Sequence, residues 1–244
     1  MGPRDRSTDA ALDPSGIAAH PWILSLAERV PPLRWDDVFA SPVESVEIEI
    51  GSGKGMFLRR ESVACPGTGF LGIERATKFF ALAAARLARD GRPNARIVRA
   101  DAFDLLARWV PVGSLGAIHV YFPDPWPKKR HAKRRLLQPA LFDLCARAIA
   151  PGGILAVATD VGPYFADADA VLATHPSFVP IESSDADRER VATNYAVKYA
   201  REGRTLHLGR WRRNASAPPP IPPPPSRRRK AAGQDASSGL SPAE

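Results

Sequence analysis

Cysteine is scarce in this sequence, and long apolar runs are missing. The 244 residues contain two cysteines, Cys65 and Cys145, which are too few for a disulfide framework and argue against a zinc site. No segment approaches the roughly 18 consecutive apolar residues that a membrane-spanning helix needs. The first twenty residues carry charges where a secretory signal has an apolar block. We therefore expect a cytoplasmic protein that does not enter a membrane.

Positive charge is in excess, and it indicates an anionic partner. Lysine and arginine number 34 against 26 acidic residues, which gives a formal net charge of +8. This balance alone does not distinguish RNA from DNA or from a membrane surface. The class of partner must therefore be inferred from local motifs.

Composition divides the chain into three parts. Residues 1–40 form an N-terminal extension, and its first 18 residues or so are small and polar, so we expect them to be disordered. The apolar side chains between residues 20 and 40 should dock on the core. Residues 41–213 have the composition of one folded domain, and residues 214–244 form a disordered Pro-rich tail. The basic cluster at 227–230 would either attract RNA weakly or have no role.

Short apolar segments alternate with helical patterns along the domain. Strands are predicted at residues 46–50, 69–73, 95–99, 117–122 and 154–158, with helices in the intervals. This alternation predicts an α/β fold with a parallel sheet covered on both faces. Two weaker strand candidates, 178–181 and 205–211, flank a charged segment at 185–190 that is expected to be a loop. Pro151-Gly152-Gly153 is expected to be the turn into the fifth strand.

Polar residues stand where each of these five strands ends. Glu49 closes the first strand, and a loop with three glycines follows it. The glycines are Gly51, Gly53 and Gly55, and the later strand ends carry Glu74, Asp101, Asp124 and Asp160. Since parallel sheets bind ligands outside the carboxyl ends of their strands, this edge is predicted to form a ligand site rich in carboxylates.

Two kinds of nucleotide cofactor suit a glycine loop at this place. In a dinucleotide-binding fold, Glu74 would accept from a ribose hydroxyl about 20 residues beyond the loop. The spacing is GxGxG, however, and Glu49, Asp101 and Asp124 would repel a pyrophosphate. The same acids suit a cationic sulfonium, which favours S-adenosylmethionine, with Glu74 again accepting from the ribose.

The most distinctive stretch begins where the fourth strand ends. Pro123-Asp124-Pro125-Trp126-Pro127 has three prolines in five positions, which fix φ and restrict the residues before them. Six of the next eight residues, 128–135, are basic. We interpret this as a rigid turn beside a cationic surface, which suits a site that binds a polyanion and holds one of its atoms in a fixed position. In the alternative interpretation, Asp124 caps a turn, Trp126 belongs to the core and the charges are solvated.

Four segments of the sequence resemble one known family. They are EIGSGKG at 49–55, GIE at 72–74, the segment 94–102 and, above all, FPDPWPKKRHAKRR at 122–135. Together they resemble the bacterial tRNA (guanine-N7-)-methyltransferases, the TrmB family, from about residue 46 to 211. The resemblance implies a class I S-adenosylmethionine-dependent methyltransferase: α/β, Rossmann-like and doubly wound, with a mostly parallel seven-stranded sheet. The implied activity is methyl transfer to N7 of guanosine 46 in the variable loop of tRNA, giving 7-methylguanosine.

The resemblance also implies roles for individual residues. Asp124 matches the residue proposed to be catalytic in the family. The predicted cofactor site comprises Glu49, Gly51, Gly53, Gly55, Glu74, Asp101, Ala102 and Asp124. The implied substrate contacts are Lys128, Asp160, Thr193, Asn194, Tyr195 and Ala196, where the family usually has glutamate at the last position. RNA phosphate contacts are predicted at Lys129, Arg130, Lys133, Arg134 and Arg135, and no metal is expected.

The chemistry of guanine N7 is consistent with such a site. N7 carries an in-plane lone pair, so its methylation requires positioning and electrostatics but no proton removal. Asp124 would accept hydrogen bonds from the guanine N1–H and 2-amino group or orient the cofactor, with the base drawn from its stack. The alternatives are a methyltransferase acting on another RNA or a small molecule, a non-catalytic RNA-binding protein and, more distantly, an NAD-linked dehydrogenase. The expected partner is tRNA and not DNA, and the oligomeric state is not predicted.

Overall fold

The described part of the chain covers most of the predicted domain. The computed structural model describes residues 20–27, 29–126, 129–191 and 202–221, with the backbone alone at residues 129, 132 and 133. The predictions for residues 1–18 and for the basic end of the tail lie outside these ranges, and so do Lys128 and the segment 193–196.

Within these residues, seven strands form one sheet in the order β3-β2-β1-β4-β5-β7-β6. The strands are β1 (Ser45–Ile50), β2 (Thr68–Ile73), β3 (Ala95–Val98), β4 (Leu115–Tyr121), β5 (Ile149–Thr159), β6 (Phe178–Ile181) and β7 (His207–Arg213). The first five are parallel, and β7 runs antiparallel to both β5 and β6. The mostly parallel, seven-stranded sheet implied by the resemblance is therefore confirmed.

Helices cover both faces of this sheet. They are α1 (Met56–Ala64), α2 (Thr77–Asp90), α3 (Ala102–Arg108), α4 (Pro139–Ala148), α5 (Gly162–Ala173) and α6 (Asp185–Arg190), with 3₁₀ helices at Trp35–Asp37 and Lys129–Arg134. One core cluster joins Ile48 and Ile118 of the sheet to α3, α4 and α5. The other joins Phe70 to α1 and α2. None of the helices in the described ranges has the length and apolarity to cross a membrane.

The charged segment 185–190 is a helix, so the prediction of a loop there was wrong. The Ser184 hydroxyl accepts from the backbone N–H of Asp187 at 3.2 Å, and the Asp187 carboxylate accepts from the N–H of Ser184 at 2.9 Å. This reciprocal capping box specifies the start of α6. None of the residues within α6 is fully buried. The helix therefore lacks the apolar stripe on which the sequence prediction depended.

The Pro151-Gly152-Gly153 segment lies inside β5, where a turn before the strand was expected. The pairing of β4 with β5 jumps from Leu115↔Ile149 to Ala117↔Ile154, so the intervening residues form a bulge. Gly152 has φ +88°, a left-handed conformation that glycine adopts without a steric penalty. The strand thus begins at Ile149, and the prediction that it starts at 154 was wrong.

Segments at both ends of the domain pack against it. Leu24 donates its N–H to the carbonyl of Ile97 in β3 at 2.9 Å, and Ile97 donates to the carbonyl of Trp22 at 2.9 Å. The buried residues of this N-terminal segment are Leu24, Leu33, Val38 and Phe39. The prediction that residues 20–40 dock on the core is confirmed. After β7, Asn214 donates its N–H to the carbonyl of Ser177 at 3.0 Å, so ordered contacts continue past residue 213.

Candidate active site

The glycine loop after β1 folds over the end of β2. Gly51, Gly53 and Gly55 have φ values of +81°, +52° and +73°. The N–H of Gly51 donates to the carbonyl of Ile73 at 2.8 Å. The Glu74 carboxylate accepts from the N–H of Gly53 at 2.9 Å. The predicted residues at the ends of β1 and β2 are therefore brought together, and the acid fixes the loop.

Two of these glycines serve different purposes. A Cβ at Gly55 would lie 3.0 Å from the Cβ of Ala83, so glycine here allows α1 to begin close against α2. A Cβ at Gly51 would meet no described atom within 4 Å. Glycine at position 55 is thus required for packing, whereas Gly51 leaves one side of the loop open to a ligand.

Glu49 is the buried acid at this edge of the sheet. Glu49 is 4% exposed, and its Oε2 atom has no hydrogen-bond partner among the described residues. Burial is the main cause that raises the pKa of Glu49 to about 8; the Ser52 hydrogen bond and Arg60 oppose this shift, while the charges of Glu74 and Glu61 add to it. A buried carboxylate oxygen without a partner is costly and suits a cationic or hydrogen-bonding ligand group.

Asp101 ends the connection from β3 and caps the next helix. Its carboxylate accepts from the N–H of Phe103 at 3.1 Å and from the N–H of Asp104 at 3.5 Å. Ala102 is the first residue of α3 and is buried. Both residues therefore lie at the predicted edge, and Asp101 has a capping role there beyond any contact with a ligand.

Asp124 is exposed on a turn that adopts an uncommon backbone conformation. Phe122 and Trp126, the residues before Pro123 and Pro127, have φ values of +51° and +41°. A residue before proline usually takes an extended conformation with negative φ. A left-handed conformation costs a non-glycine residue about 1 kcal/mol or more. Strain of this kind is concentrated at functional sites, and here it surrounds Asp124.

Aromatic and basic side chains meet directly after this turn. The guanidinium of Arg134 lies over the Trp126 ring, 5.0 Å from its centroid, and His131 meets the same ring edge-to-face at 5.5 Å. Arg130 and Arg134 are exposed. Arg135 instead contacts the turn and α5. The side chains of Lys129 and Lys133 lie outside the described atoms.

Asp160 follows β5 and is held by an arginine from the β7 side. The carboxylate accepts from the Arg204 guanidinium at 2.6 Å, and the Asp160 side chain is 10% exposed. Glu202 pairs with the same guanidinium at 2.9 Å. Asp160 therefore stands at the predicted edge within an ion-pair network, while the other predicted substrate contacts lie outside the described residues.

Sequence reasoning missed a polar network beneath α6. His119 contacts the Glu47 carboxylate through Nε2 at 2.8 Å and the Tyr121 hydroxyl through Nδ1 at 2.8 Å. Arg190 donates to Glu47 at 2.9 Å and to Glu61 at 2.6 Å. Burial alone would raise the pKa of Glu47, but His119 and Arg190 lower it to about 2. The sequence did carry one signal, because strand alternation puts Glu47 and Glu49 on the same face.

Comparison with known proteins assigns this fold and site to a class. Residues 43–212 match a family model described as "Putative methyltransferase". Two solved structures share the fold: the 16S rRNA methyltransferase KamB, with a TM-score of 0.52 and 15% identity, and a 16S rRNA (adenine(1408)-N(1))-methyltransferase from Catenulisporales acidiphilia, with 0.52 and 16%. They cover 77% and 78% of this chain, and the match spans 95% and 97% of theirs. The class I methyltransferase fold is thus confirmed.

Curated relatives identify the family within this class. The tRNA (guanine-N(7)-)-methyltransferase of Nitrosococcus oceani is 36% identical over 186 residues, which are 76% of this chain and 78% of the relative. That of Rhodopseudomonas palustris is 39% identical over 181 residues, covering 72% and 68%. The chain belongs to the tRNA (guanine-N(7)-)-methyltransferase family, as its motifs predicted.

Proposed function

We propose that this protein transfers the methyl group of S-adenosylmethionine to N7 of guanosine 46 in the variable loop of tRNA. The observation that carries the proposal is a juxtaposition at one sheet edge. The buried carboxylate oxygen of Glu49 that has no partner in the described part of the chain stands beside the glycine loop. Asp124 and a basic 3₁₀ helix follow the neighbouring strand β4. Membership of the family supports the same activity, with tRNA as partner in the cytoplasm.

The residues at the ends of β1 and β2 fit the cofactor. S-adenosylmethionine supplies, when bound, a methyl group on a cationic sulfur. Glu49 would balance positive charge with its buried Oε2 atom, and the open side of Gly51 would admit the ligand close to the backbone. Glu74 would accept from the ribose hydroxyls while holding Gly53. Asp101, Gly55 and Ala102 complete the proposed cofactor site.

Asp124 is the proposed catalytic residue. N7 attacks through its own lone pair, so the turn must position charge and not remove a proton. The purine gains positive charge as N7 is methylated, and a carboxylate at the guanine N1–H and 2-amino group would stabilise that charge. Arg130 and Arg134, which are exposed on the 3₁₀ helix, would bind phosphates, and Lys129 and Lys133 remain predicted phosphate contacts. Lys128, Asp160 and residues 193–196 remain proposed contacts to the tRNA substrate.

The proposed function is tested by transfer of a labelled methyl group to two tRNAs. One is unmodified tRNA and the other is the same tRNA with guanosine 46 replaced by adenosine. Label on the first alone, recovered as 7-methylguanosine, is the expected result. Equal label on both would contradict the assigned position, and no label on either would contradict tRNA as the substrate.

Cofactor affinity should rise with pH up to about 8. In the empty protein Glu49 has a pKa of about 8, whereas a cationic ligand favours its carboxylate form. Below that pH, binding of S-adenosylmethionine must therefore release a proton. Titration calorimetry at pH 7 in two buffers with different ionisation enthalpies measures this release. Glu49→Gln should abolish it, whereas Glu44→Gln, an exposed acid before β1, should leave it intact.

The same carboxyl links folding to pH with a definite sign. The folded pKa of about 8 lies above the ordinary value of 4.5, so the folded protein holds a proton that the unfolded chain releases. This contribution to the free energy of unfolding is full below about pH 4.5 and is lost as the pH rises through 8.

In the calorimetry of cofactor binding, proton release by the Glu49→Gln protein equal to that of the unaltered protein would assign the release to another group.

A further inference from the structure

Arg135, the last residue of the basic stretch, has contacts unlike those of Arg130 and Arg134. Its Nε donates to the carbonyl oxygen of Pro125 at 3.1 Å, and its Nη1 donates to the Asp167 carboxylate at 3.0 Å. The guanidinium also lies over the Tyr164 ring, 5.3 Å from the centroid. One side chain thus joins the turn after β4 to helix α5, which carries both Tyr164 and Asp167.

The residues after Arg135 are attached to the same helix. The hydroxyl oxygen of Tyr164 accepts from the N–H of Leu136 at 3.1 Å and from the N–H of Leu137 at 3.0 Å. Tyr164 is 2% exposed and Leu137 is 6% exposed. Three consecutive residues are therefore docked on α5, so the base from which the Arg135 side chain extends is fixed.

External hydrogen bonds hold the turn that carries Asp124: the Phe122 N–H donates to the carbonyl of Ala158 at its start, and Arg135 donates to it after Asp124. Prolines have no backbone N–H, so Pro123 and Pro125 cannot donate hydrogen bonds that would hold the turn together. Phe122 and Trp126 have the strained positive φ values already described. The carbonyl that accepts from Arg135 belongs to Pro125, the residue directly after Asp124. A hydrogen bond from a charged donor at this point restrains the catalytic carboxylate through one peptide unit.

We propose that Arg135 is a positioning residue, which holds the Asp124 turn against α5 and does not serve as a phosphate contact. The inference rests on the proposed function, because it assigns Arg135 a part in the same reaction. Its side chain is 27% exposed, and its Nε and Nη1 already donate to acceptors on the turn and on α5. Arg130 and Arg134 are exposed, so phosphate binding is left to them.

The two roles predict different kinetics for the same substitutions. A phosphate contact contributes to tRNA affinity and to about one unit of the logarithmic salt dependence of binding. A positioning residue contributes to turnover, since displacement of a catalytic group by about 1 Å costs up to about 100-fold in rate. Arg135→Lys separates them further, because lysine keeps the charge but lacks the fork that bridges two acceptors.

The test combines steady-state methyl transfer to unmodified tRNA with salt-dependent tRNA binding. Arg135→Met and Arg135→Lys should each lower kcat by about 10- to 100-fold, with KM for tRNA and the salt dependence close to those of Arg34→Met. Arg34 is 78% exposed at the N-terminal segment and controls for lost charge. Asp167→Asn should lower kcat in the same direction, although it removes no positive charge. Thermal unfolding of each variant establishes that it is folded.

Arg130→Met provides the comparison for a true phosphate contact, with a raised KM and a flatter salt dependence. If Arg135→Met behaves as Arg130→Met does and Arg135→Lys restores kcat, Arg135 is a phosphate contact and the inference is wrong. If Arg135→Met does not fold, Arg135→Lys and the exposed Asp167→Asn decide between the two roles. Absence of transfer by the unaltered protein would overturn the proposed function and, with it, this role of Arg135.

Discussion

Replacing Asp124 by asparagine should lower the turnover number for methyl transfer by about 100-fold or more, while tRNA still binds. Asparagine keeps the size of the side chain but removes the negative charge that would stabilise the developing cationic purine. Its amide also presents a donor where a second acceptor oxygen stood. Because Asp124 is exposed on its turn, the change should not disturb the core.

Steady-state kinetics and filter binding on the same preparation separate the two effects. Asp169→Asn is the matched control, since Asp169 is an exposed acid on α5 that has no proposed part in the site. Turnover like that of the control would remove Asp124 from the mechanism. A parallel loss of tRNA binding would make it a binding residue, which the positioning argument does not predict.

Arg190→Met should lower the free energy of unfolding by about 3 kcal/mol. The guanidinium donates to Glu47 at 2.9 Å and to Glu61 at 2.6 Å, whose side chains are 16% and 5% exposed. Removing the cation leaves two acids with little access to water. The Arg190 side chain is 30% exposed, so the lower end of the range for broken buried pairs applies.

Urea unfolding of Arg190→Met beside Arg188→Met measures this contribution. Arg188 is exposed on the same short helix, so its replacement controls for charge and for helix propensity. Glu61→Gln should recover part of the loss in the Arg190→Met background, because it removes a buried charge that keeps Arg60 as its remaining arginine partner. Equal midpoints for the two arginine variants would show that the network beneath α6 does not stabilise the fold.

The arrangement of the ligand-binding edge could be predicted because its signals are local. Alternation in Val46-Glu47-Ile48-Glu49-Ile50 identifies β1 and the face that carries its acids. The glycine loop and the acids after each strand then follow from the rule that parallel strands end at one edge. The prolines predict a rigid turn at Asp124, but the positive φ values of Phe122 and Trp126 run against the usual preference of residues before proline, so the local sequence does not predict them.

The remaining features depend on partners that are distant in sequence or weak in pattern. Arg190 meets Glu47 across 143 residues, and no local pattern connects them. The proposed role of Arg135 was hidden because the residue ends a basic run, while its two acceptors lie 10 and 32 residues away in the sequence. Helix α6 has no apolar periodicity, so only its capping box, Ser184 with Asp187, could have predicted it.

The contact between the N-terminal segment and β3 also covers part of an edge of the sheet. β3 is a terminal strand of the sheet, and its outer hydrogen-bonding groups would otherwise present a template for another chain. The exchange of hydrogen bonds between Ile97 and the residues Trp22 and Leu24 occupies part of that template. At the opposite end, β6 is four residues long and contains Pro180. A shortened protein that begins after Leu24 would lose the first of these protections and expose the unpaired edge of β3 to pairing with another chain.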